Sequence, residues 1–280
     1  MRWRNLFLFW LLTAYVCANG LMVKAQADGK WLSMPALSAG AYVPAFTDIF
    51  SFTANKAALV FMQETSAGIM MERRFMLAEL SNYGFALAIP RTWGAAGLQC
   101  RFQGGGNWSA YAVNLAYAKK LTAGMALGLQ VNLVNERAAG YMPSRLLSAD
   151  LSLLMRPAEN WSMGLDVQHL VSTQSTQDKT NPQSAIYTFG TGFSANPQTM
   201  LAAWVRHESG KPVQMAAEAR YRFADRLMAS IGFTSDTGSF FAGVALSWSK
   251  YRLFVSGSKH PFLGYTPGLA LQYSFKKNQP

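Results

Sequence analysis

In residues 125–133, MALGLQVNL, large apolar side chains alternate with small or polar ones. Met, Leu, Leu, Val and Leu occupy the odd positions, and Ala, Gly, Gln and Asn occupy the even positions. A repeat of two residues places successive side chains on opposite faces of an extended chain. This segment is therefore predicted to be a β-strand with one apolar face and one polar face.

The same alternation recurs along the chain from residue 66 onward. Every other connection between the segments is short, such as 91–93 and 195–197, whereas most of the others are longer, such as 73–83 and 172–184. Strands in even number, joined alternately by tight turns and longer loops, are typical of bacterial outer-membrane barrels. We count fourteen segments, near residues 66–72, 84–90, 94–103, 108–119, 123–135, 146–156, 161–171, 185–194, 198–207, 213–223, 227–235, 240–248, 251–258 and 267–275.

The composition is compatible with strands in lipid. The chain is 50% hydrophobic and 14% charged, and no apolar run after residue 25 approaches the roughly 20 residues of a membrane-spanning helix. A large soluble all-β protein is the alternative, but it has no reason to sort its loop lengths alternately. Aromatic residues near the segment ends predict interfacial girdles: Trp108, Trp161, Tyr187, Tyr221, Trp248, Tyr251, Tyr273 and Phe275.

The first 25 residues have the pattern of a signal peptide, with two arginines, an apolar run and then small residues. Cleavage is expected after residue 25 or residue 27. Cleavage after residue 25 removes Arg2, Arg4 and Lys24 and lowers the formal net charge from +11 to +8. This charge is expected to meet lipid phosphates or an acidic partner surface rather than nucleic acid. Cys100 is the one cysteine of the predicted mature chain, which excludes a disulfide framework and a cysteine-based zinc site.

These patterns predict an all-β fold, a transmembrane up-and-down antiparallel β-barrel of about 14 strands with an N-terminal plug or hatch. A lumen enclosed by that many strands is wider than barrel side chains alone can fill. Residues 31–60 show no clear alternation and are predicted to enter it, with Asp48 and Asn55 as candidate hatch residues. A disordered periplasmic tail is the alternative. The predicted domains are a signal peptide (1–25), a hatch (26–65), the barrel (66–275) and a periplasmic tail (276–280).

The alternation also predicts which polar side chains face the lumen. Two roles are open to them: they pair with one another and with hatch charges such as Asp48, or they bind a solute. Charge pairing is the simpler role. The predicted set is Asp150, Arg156, Asp166, Glu218, Arg220 and Arg222.

No residue pattern in the chain predicts an enzyme, a cofactor or a metal site. The three histidines, His169, His207 and His260, match no metal-ligand spacing. His169 near Ser172 and His207 near Ser209 come without a recognisable nucleophile motif or an orienting acid. We therefore expect a non-enzymatic protein that needs no cofactor.

The last segment is expected to close the barrel. Leu271, Tyr273 and Phe275 share its apolar face and lie just before the C-terminal residues 276–280. Open strand edges are not tolerated in lipid, so this segment must pair with residues 66–72. We expect it to carry the signal that the barrel assembly machinery recognises.

Several stretches resemble the PorV/PorQ-like outer-membrane proteins of Bacteroidetes. They are ERRFMLAELS at 72–81, ALAIP at 86–90 with Gly94, LAYAKK at 115–120, and HPFLGYTP at 260–267 leading into LQYSF at 271–275. Upstream, GAYV at 40–43 and Asn55 are similar to N-terminal elements of the family. The family pattern Asn-Pro-Ala-Gly-Leu is NKAAL at 55–59 here, without its proline and glycine.

The resemblance implies a barrel similar to the long-chain fatty-acid transporters, with an N-terminal hatch and a link to type IX secretion. The function expected from it is an integral outer-membrane protein that docks cargo or partners through extracellular loops. The alternative is an outer-membrane transporter or channel for hydrophobic or small solutes. Expected partners are outer-membrane lipid, the barrel assembly machinery, and the type IX translocon or the signal domains of its cargo; no nucleic acid is expected.

Overall fold

The computed structural model describes residues 39–175, 184–224, 226–235 and 238–275. The predicted signal peptide, the predicted tail and residues 26–38 of the predicted hatch lie outside the described residues. Within them, short 3-10 helices precede the first strand and follow it. Those before it are Ala39–Tyr42, Pro44–Phe46, Ser51–Thr53 and Lys56–Phe61, and those after it are Arg74–Met76 and Ala78–Leu80.

Fourteen strands in the described residues form a closed barrel. Each strand pairs antiparallel with its neighbours in sequence, and β1 also pairs with β14. This arrangement confirms the predicted fold class. The strands are β1 (Ser66–Arg73), β2 (Ser81–Arg91), β3 (Gly94–Gly105), β4 (Trp108–Thr122), β5 (Met125–Ala138), β6 (Ser144–Ala158), β7 (Trp161–Ser175), β8 (Ile186–Asn196), β9 (Thr199–Glu208), β10 (Gln214–Ala224), β11 (Leu227–Thr234), β12 (Ser239–Trp248), β13 (Tyr251–His260) and β14 (Gly264–Ser274).

Several strands are longer than the alternation predicts. β2 begins at Ser81, β7 continues to Ser175, and β14 begins at Gly264, opposite His260 of β13. The alternation of side-chain character fades near the loops, but backbone hydrogen bonds continue the pairing there. Side-chain pattern therefore underestimates strand length in these places.

The two ends of the barrel differ. At one end, which we call the turn end, tight turns join β2 to β3, β4 to β5 and the corresponding later pairs. β1 starts and β14 finishes at this same end, where the Phe275 amide donates to the Thr65 carbonyl at 2.8 Å. The opposite end, which we call the loop end, carries most of the longer connections.

The outer surface is apolar, and the inner surface carries the polar side chains of the strands together with buried apolar clusters. On β5, Leu129 is 51% exposed on the outside, whereas Gln130 is 5% exposed on the inside. Aromatic rings cluster at the turn end, where the ring centroid of Tyr273 lies 5.1 Å from that of Tyr251 and 4.8 Å from that of Phe275. These features are those of a barrel with a lipid-facing band and an interfacial girdle. In the described part of the chain, no helix is long and apolar enough to span a membrane.

Leu129→Arg is expected to destabilise the barrel in lipid by about 2–4 kcal/mol, because it places a charge in the middle of the apolar band. Urea unfolding in lipid vesicles measures the change in the free energy of unfolding. Tyr141→Arg is the control, since Tyr141 is exposed on the β5–β6 loop outside the strands. Equal stability of the two variants would contradict the assignment of the outer face.

Candidate functional site

An N-terminal segment occupies the turn-end half of the lumen. This segment, residues 39–61, is called the hatch below, and the side chains of Tyr42, Phe50 and Leu59 in it are fully buried. It lies against inward-facing glycines that are within three residues of the turn-end limits of their strands. Phe50 lies over Gly68 of β1, Leu59 over Gly97 of β3, and Lys56 over Gly128 of β5.

Two wall glycines are required by this close approach. A Cβ on Gly128 would lie 2.6 Å from the backbone carbonyl carbon of Lys56 and would also clash with the backbone nitrogen of Ala57. A Cβ on Gly190 of β8 would clash with Cζ of the Tyr42 ring. Packed interiors resist such added volume. The wall is therefore shaped to the hatch at these positions.

Tyr42 anchors the first part of the hatch. Its backbone carbonyl accepts a hydrogen bond from the Ser162 hydroxyl of β7. Burial raises the pKa of its phenol, so the ring remains neutral at physiological pH. Tyr42 is thus an uncharged, rigid contact between the hatch and the wall.

The buried ammonium of Lys56 lies between two carboxylates of the wall. Its Nζ is 3.0 Å and 3.1 Å from the two oxygens of Asp166 on β7, and 3.3 Å from Oδ2 of Asp150 on β6. The three side chains are 1%, 0% and 4% exposed, respectively. Charges withdrawn from water this far require close pairing. We call Asp150 and Asp166 the ammonium cradle.

Wall donors hold both carboxylates of the cradle in position. The Ser152 hydroxyl donates to Asp166 Oδ1 at 2.5 Å, and the Gln168 amide donates to Asp166 Oδ2 at 2.8 Å. The Gln130 amide donates to Asp150 Oδ2 at 3.2 Å, and the backbone N–H of His169 donates to Asp150 Oδ1 at 3.0 Å. Four donors of the barrel thus hold the cradle, and one of them, the Ser152 hydroxyl, also accepts a hydrogen bond from the backbone N–H of Lys56 at 3.2 Å.

An irregularity in β7 supplies one of these donors. The register of β6 with β7 passes from Ala149 opposite Val171 to Leu151 opposite Val167, so β7 contains extra residues at this point. His169 lies in this bulge with a φ of 55°, in the left-handed region. Bulges re-aim side chains and free backbone groups from the ladder. Here the bulge directs the His169 amide to Asp150, while its ring contacts Ser148 at 3.0 Å.

A second buried ionic group joins β10 to the hatch. Arg220 donates from Nε to Glu218 Oε1 at 2.5 Å, and its Nη1 lies 3.8 Å from Oδ2 of Asp48 in the hatch. Asp48 is held in turn by the backbone N–H of Phe50 at 2.8 Å and by the Ser51 hydroxyl at 3.1 Å. The hatch therefore places Lys56 between two carboxylates of the wall and Asp48 beside the wall cation Arg220.

Four of the six predicted lumen residues lie in the two ionic groups, and the other two, Arg222 and Arg156, lie outside them. Asp150, Asp166, Glu218 and Arg220 lie together with the hatch in the two ionic groups described above. Arg222 lies nearer the turn end, where it donates to the Ala45 carbonyl at 2.9 Å and covers the ring of Phe46. Arg156 lies outside both ionic groups and donates to the Glu159 carbonyl in the β6–β7 turn at 3.1 Å.

Both candidate hatch residues contact their surroundings through defined atoms. Asp48 belongs to the Arg220 group. Asn55 donates to the carbonyls of Leu153 and Leu165 at 3.4 Å and 3.3 Å, and its Oδ1 accepts from the Ala57 amide at the start of the Lys56–Phe61 helix. The sequence did not single out Lys56 as a site residue. Its one signal was a lysine beside a capping asparagine at the start of an otherwise apolar KAALVF run.

Amide side chains line the wall from the cradle toward the loop end. Asn132 donates to the Ser148 hydroxyl at 3.2 Å, and Asn82 and Gln103 face each other on β2 and β3. Among the residues that the structure describes, Gln99 Nε2, Gln103 Oε1 and Gln130 Oε1 are buried with no hydrogen-bond partner. Buried polar groups in proteins are normally satisfied by protein, water or ligand. These buried amide atoms therefore have unused hydrogen-bonding capacity in this structure.

Arg220→Met is expected to lower the free energy of unfolding by about 3–5 kcal/mol, because it removes the cation between two buried carboxylates. Urea unfolding in lipid vesicles measures the loss. Arg226→Met, in the exposed β10–β11 turn, is the matched control. A loss no larger than that of the control would show that Arg220 does not compensate Asp48 and Glu218.

A scan of family models finds no match to this chain, and a comparison with curated proteins finds none either. Solved structures do match. The toluene transporter TbuX of Ralstonia pickettii is 13% identical with a TM-score of 0.60, over 82% of this chain and 94% of that one. The CymD monoaromatic hydrocarbon channel is 12% identical with a TM-score of 0.63, over 83% and 94%.

A FadL homologue of Pseudomonas aeruginosa matches over 86% of this chain and 97% of its own length, at 10% identity and a TM-score of 0.61. This chain has the barrel fold of the FadL-type outer-membrane transporters. Identities this low show the fold alone. The resemblance to the PorV/PorQ-like proteins is not tested by these matches and stays a prediction.

Proposed function

We propose that this protein is an outer-membrane channel for small polar solutes, closed at its turn end by the hatch. The observation that supports the proposal most directly is the set of buried amide side chains on the inner face beside the ammonium cradle and on its loop-end side, which are Gln99, Gln103, Gln130 and Asn132. The protein acts by passage and not by catalysis in this proposal. It needs no cofactor.

The chemistry of the wall favours polar solutes over hydrocarbons. A hydrocarbon in contact with Gln99, Gln103 and Gln130 would leave their buried amide atoms without partners, at a cost in free energy. A solute with hydroxyl, amide or ammonium groups could bond to them. The related folds described as carriers of toluene or monoaromatic hydrocarbons therefore suggest the transport function, while the lining of this barrel suggests a different solute class.

The contacts that hold the hatch are noncovalent and therefore reversible, as a movable gate requires. It is held by apolar packing, by the Lys56 and Arg220 ionic groups, and by a few hydrogen bonds to wall carbonyls. Each contact can be made and broken without changing the barrel, whose ladder is complete without the hatch. Movement of the hatch would open the turn end.

Swelling of proteoliposomes in isotonic solute tests this proposal. The purified full-length protein is expected to admit small sugars and amino acids slowly, and a variant with a displaced hatch should admit them at a much higher rate. Size-matched hydrocarbon uptake by the same vesicles serves as the comparison. Vesicles that contain heat-modifiable barrels but admit no polar solute, with the hatch in place or displaced, would overturn the proposal.

A second function, docking of a secretion partner, is favoured by the loops. Phe262 is 87% exposed on the β13–β14 connection, and Tyr141 and Met142 are 80% and 77% exposed on the β5–β6 connection. Large apolar side chains exposed beyond the lipid band are typical of protein contacts. Crosslinking in native membranes tests this function: a type IX partner captured by the wild type should be lost from a Tyr141→Ser, Met142→Ser, Phe262→Ser variant.

A further inference from the structure

We propose that Asp150 and Asp166 form a binding site for the primary ammonium group of a solute, and that Lys56 occupies this site while the hatch is closed. The inference rests on the proposed channel function and names a solute class for it, small primary amines and amino compounds. In this proposal the Lys56 ammonium occupies the position that the ammonium group of the solute would take. A solute that takes its place releases the hatch.

The cradle has the geometry of an ammonium site. An ammonium group has three N–H donors, and Lys56 Nζ has three carboxylate oxygens within 3.3 Å, two from Asp166 and one from Asp150. Both carboxylates are buried and are fixed by donors of the wall. The site is therefore formed by the barrel and filled by the hatch.

Departure of Lys56 would leave the two carboxylates of the cradle without their cation. Two buried acids then lose the one ammonium that they share, and an uncompensated buried charge is strongly unfavourable. Arg101 on β3 interacts electrostatically with Asp150 and compensates it in part. An incoming ammonium ion would restore the pairing, and no anionic or neutral solute could do so.

Gln130 provides an independent sign of a ligand. Its amide nitrogen donates to Asp150, and its Oε1 is buried without a partner among the described residues. The side chain is 5% exposed. This oxygen is an unused acceptor beside the cradle. An amino compound carrying a further hydroxyl or amide donor could satisfy it, whereas the lysine ammonium leaves it unpaired.

The position of the cradle suits exchange between hatch and solute. Asp150 lies on the loop-end side of Ser152, and Asn132 and Ser148 continue the polar wall from it toward the loop end. The hatch backbone lies on the other side, over Gly128. A solute entering from the loop end would therefore meet Asp150 before it meets the hatch.

Chemical rescue tests the site. Lys56→Ala removes three methylene groups and the ammonium, which n-propylammonium supplies. The reporter is Ala58→Cys, a buried hatch position, in a Cys100→Ser background, and the readout is the rate of labelling by a membrane-impermeant maleimide. Lys56→Ala should raise the labelling rate about tenfold or more, given the cost of a broken buried ion pair. Millimolar n-propylammonium should restore slow labelling.

The controls separate binding from screening. Propan-1-ol, propionate and tetramethylammonium at equal concentration and ionic strength should not restore protection, since none of them presents an N–H ammonium donor to the cradle. Asp166→Asn in the Lys56→Ala background should abolish the rescue. Protection by the alcohol equal to that by the amine, or no protection by the amine, would overturn the inference.

A second measurement needs no substitution at Lys56. With Lys56 intact, n-propylammonium competes with the hatch, so it should raise the labelling rate of the same reporter, opposite in sign to its effect on Lys56→Ala. Unchanged labelling up to the concentration that rescues Lys56→Ala would overturn the exchange. Labelling does not depend on transport: amine effects in vesicles that admit no solute would refute only the channel function, and solute entry without amine effects would refute only this site.

Discussion

Gly128→Val is expected to expel the hatch from the lumen and to leave the barrel assembled. The added side chain would occupy the space of the Lys56 and Ala57 backbone, which cannot yield as a flexible side-chain tip can. Overpacking of this kind typically costs about 1–3 kcal/mol, and more where backbone must move. The barrel can avoid the clash at no cost to its ladder by releasing the hatch, so the hatch is the part that should move.

Single-channel conductance in planar bilayers measures the outcome. The variant should show open channels at a frequency far above that of the wild type, with unchanged heat-modifiability on gels. Gly257→Val is the matched control, because a Cβ at this glycine of β13 meets no atom within 4 Å. If both valine variants remained as closed as the wild type, the hatch would not be the barrier in the lumen.

The strands were predictable from sequence because each strand of a barrel wall alternates apolar with polar or small side chains. Side-chain direction reverses at every residue, so lipid on one side and a polar lumen on the other produce alternation along each strand. The same parity placed Asp150, Asp166, Glu218 and Arg220 on the inner surface before any pairing was known. Arg156 has the same parity, but it lies near the turn end of β6, where it bonds to the β6–β7 turn and takes no part in either ionic group.

The site was less predictable because it depends on contacts between distant segments. Lys56 and Asp166 are separated by 110 residues, and nothing in the local pattern of either shows that they meet. The hatch consists of short 3-10 helices without a repeating pattern of apolar residues. The bulge at His169 could not be predicted either, because extra residues in β7 interrupt the alternation in the same way as the end of a strand does.

The functional expectation changed for a related reason. The resemblance to the PorV/PorQ-like proteins is carried by stretches on several strands and loops, and those stretches predict a FadL-like barrel correctly. The type IX role attached to the resemblance concerns partners outside the barrel. The structural matches, at 13% and 12% identity, show the fold alone, and transport, the alternative function, is what we propose from the polar side chains of the lumen.

Replacing both Tyr273 and Phe275 by serine is expected to abolish assembly of the barrel. β14 closes the barrel against β1, with Tyr273 opposite Ala67 and the Phe275 amide bonded to the Thr65 carbonyl. The two rings contact each other at 4.8 Å, and Tyr273 also meets Tyr251 at 5.1 Å. Their loss removes the aromatic girdle at the strand that closes the barrel, and an unclosed edge cannot remain in lipid.

The amount of heat-modifiable protein in the outer-membrane fraction measures assembly. Phe262→Ser with Tyr265→Ser is the matched control, since it removes two aromatic rings at the loop end, where both are exposed. This control should assemble at the wild-type level, and so should a chain lacking residues 276–280. The Tyr273 and Phe275 double variant should be nearly undetectable in the membrane, because the turn end of β14 closes the barrel and is the segment that we expect the assembly machinery to recognise. Wild-type amounts of that variant would show that the aromatic face of β14 contributes neither to closure nor to recognition by the assembly machinery.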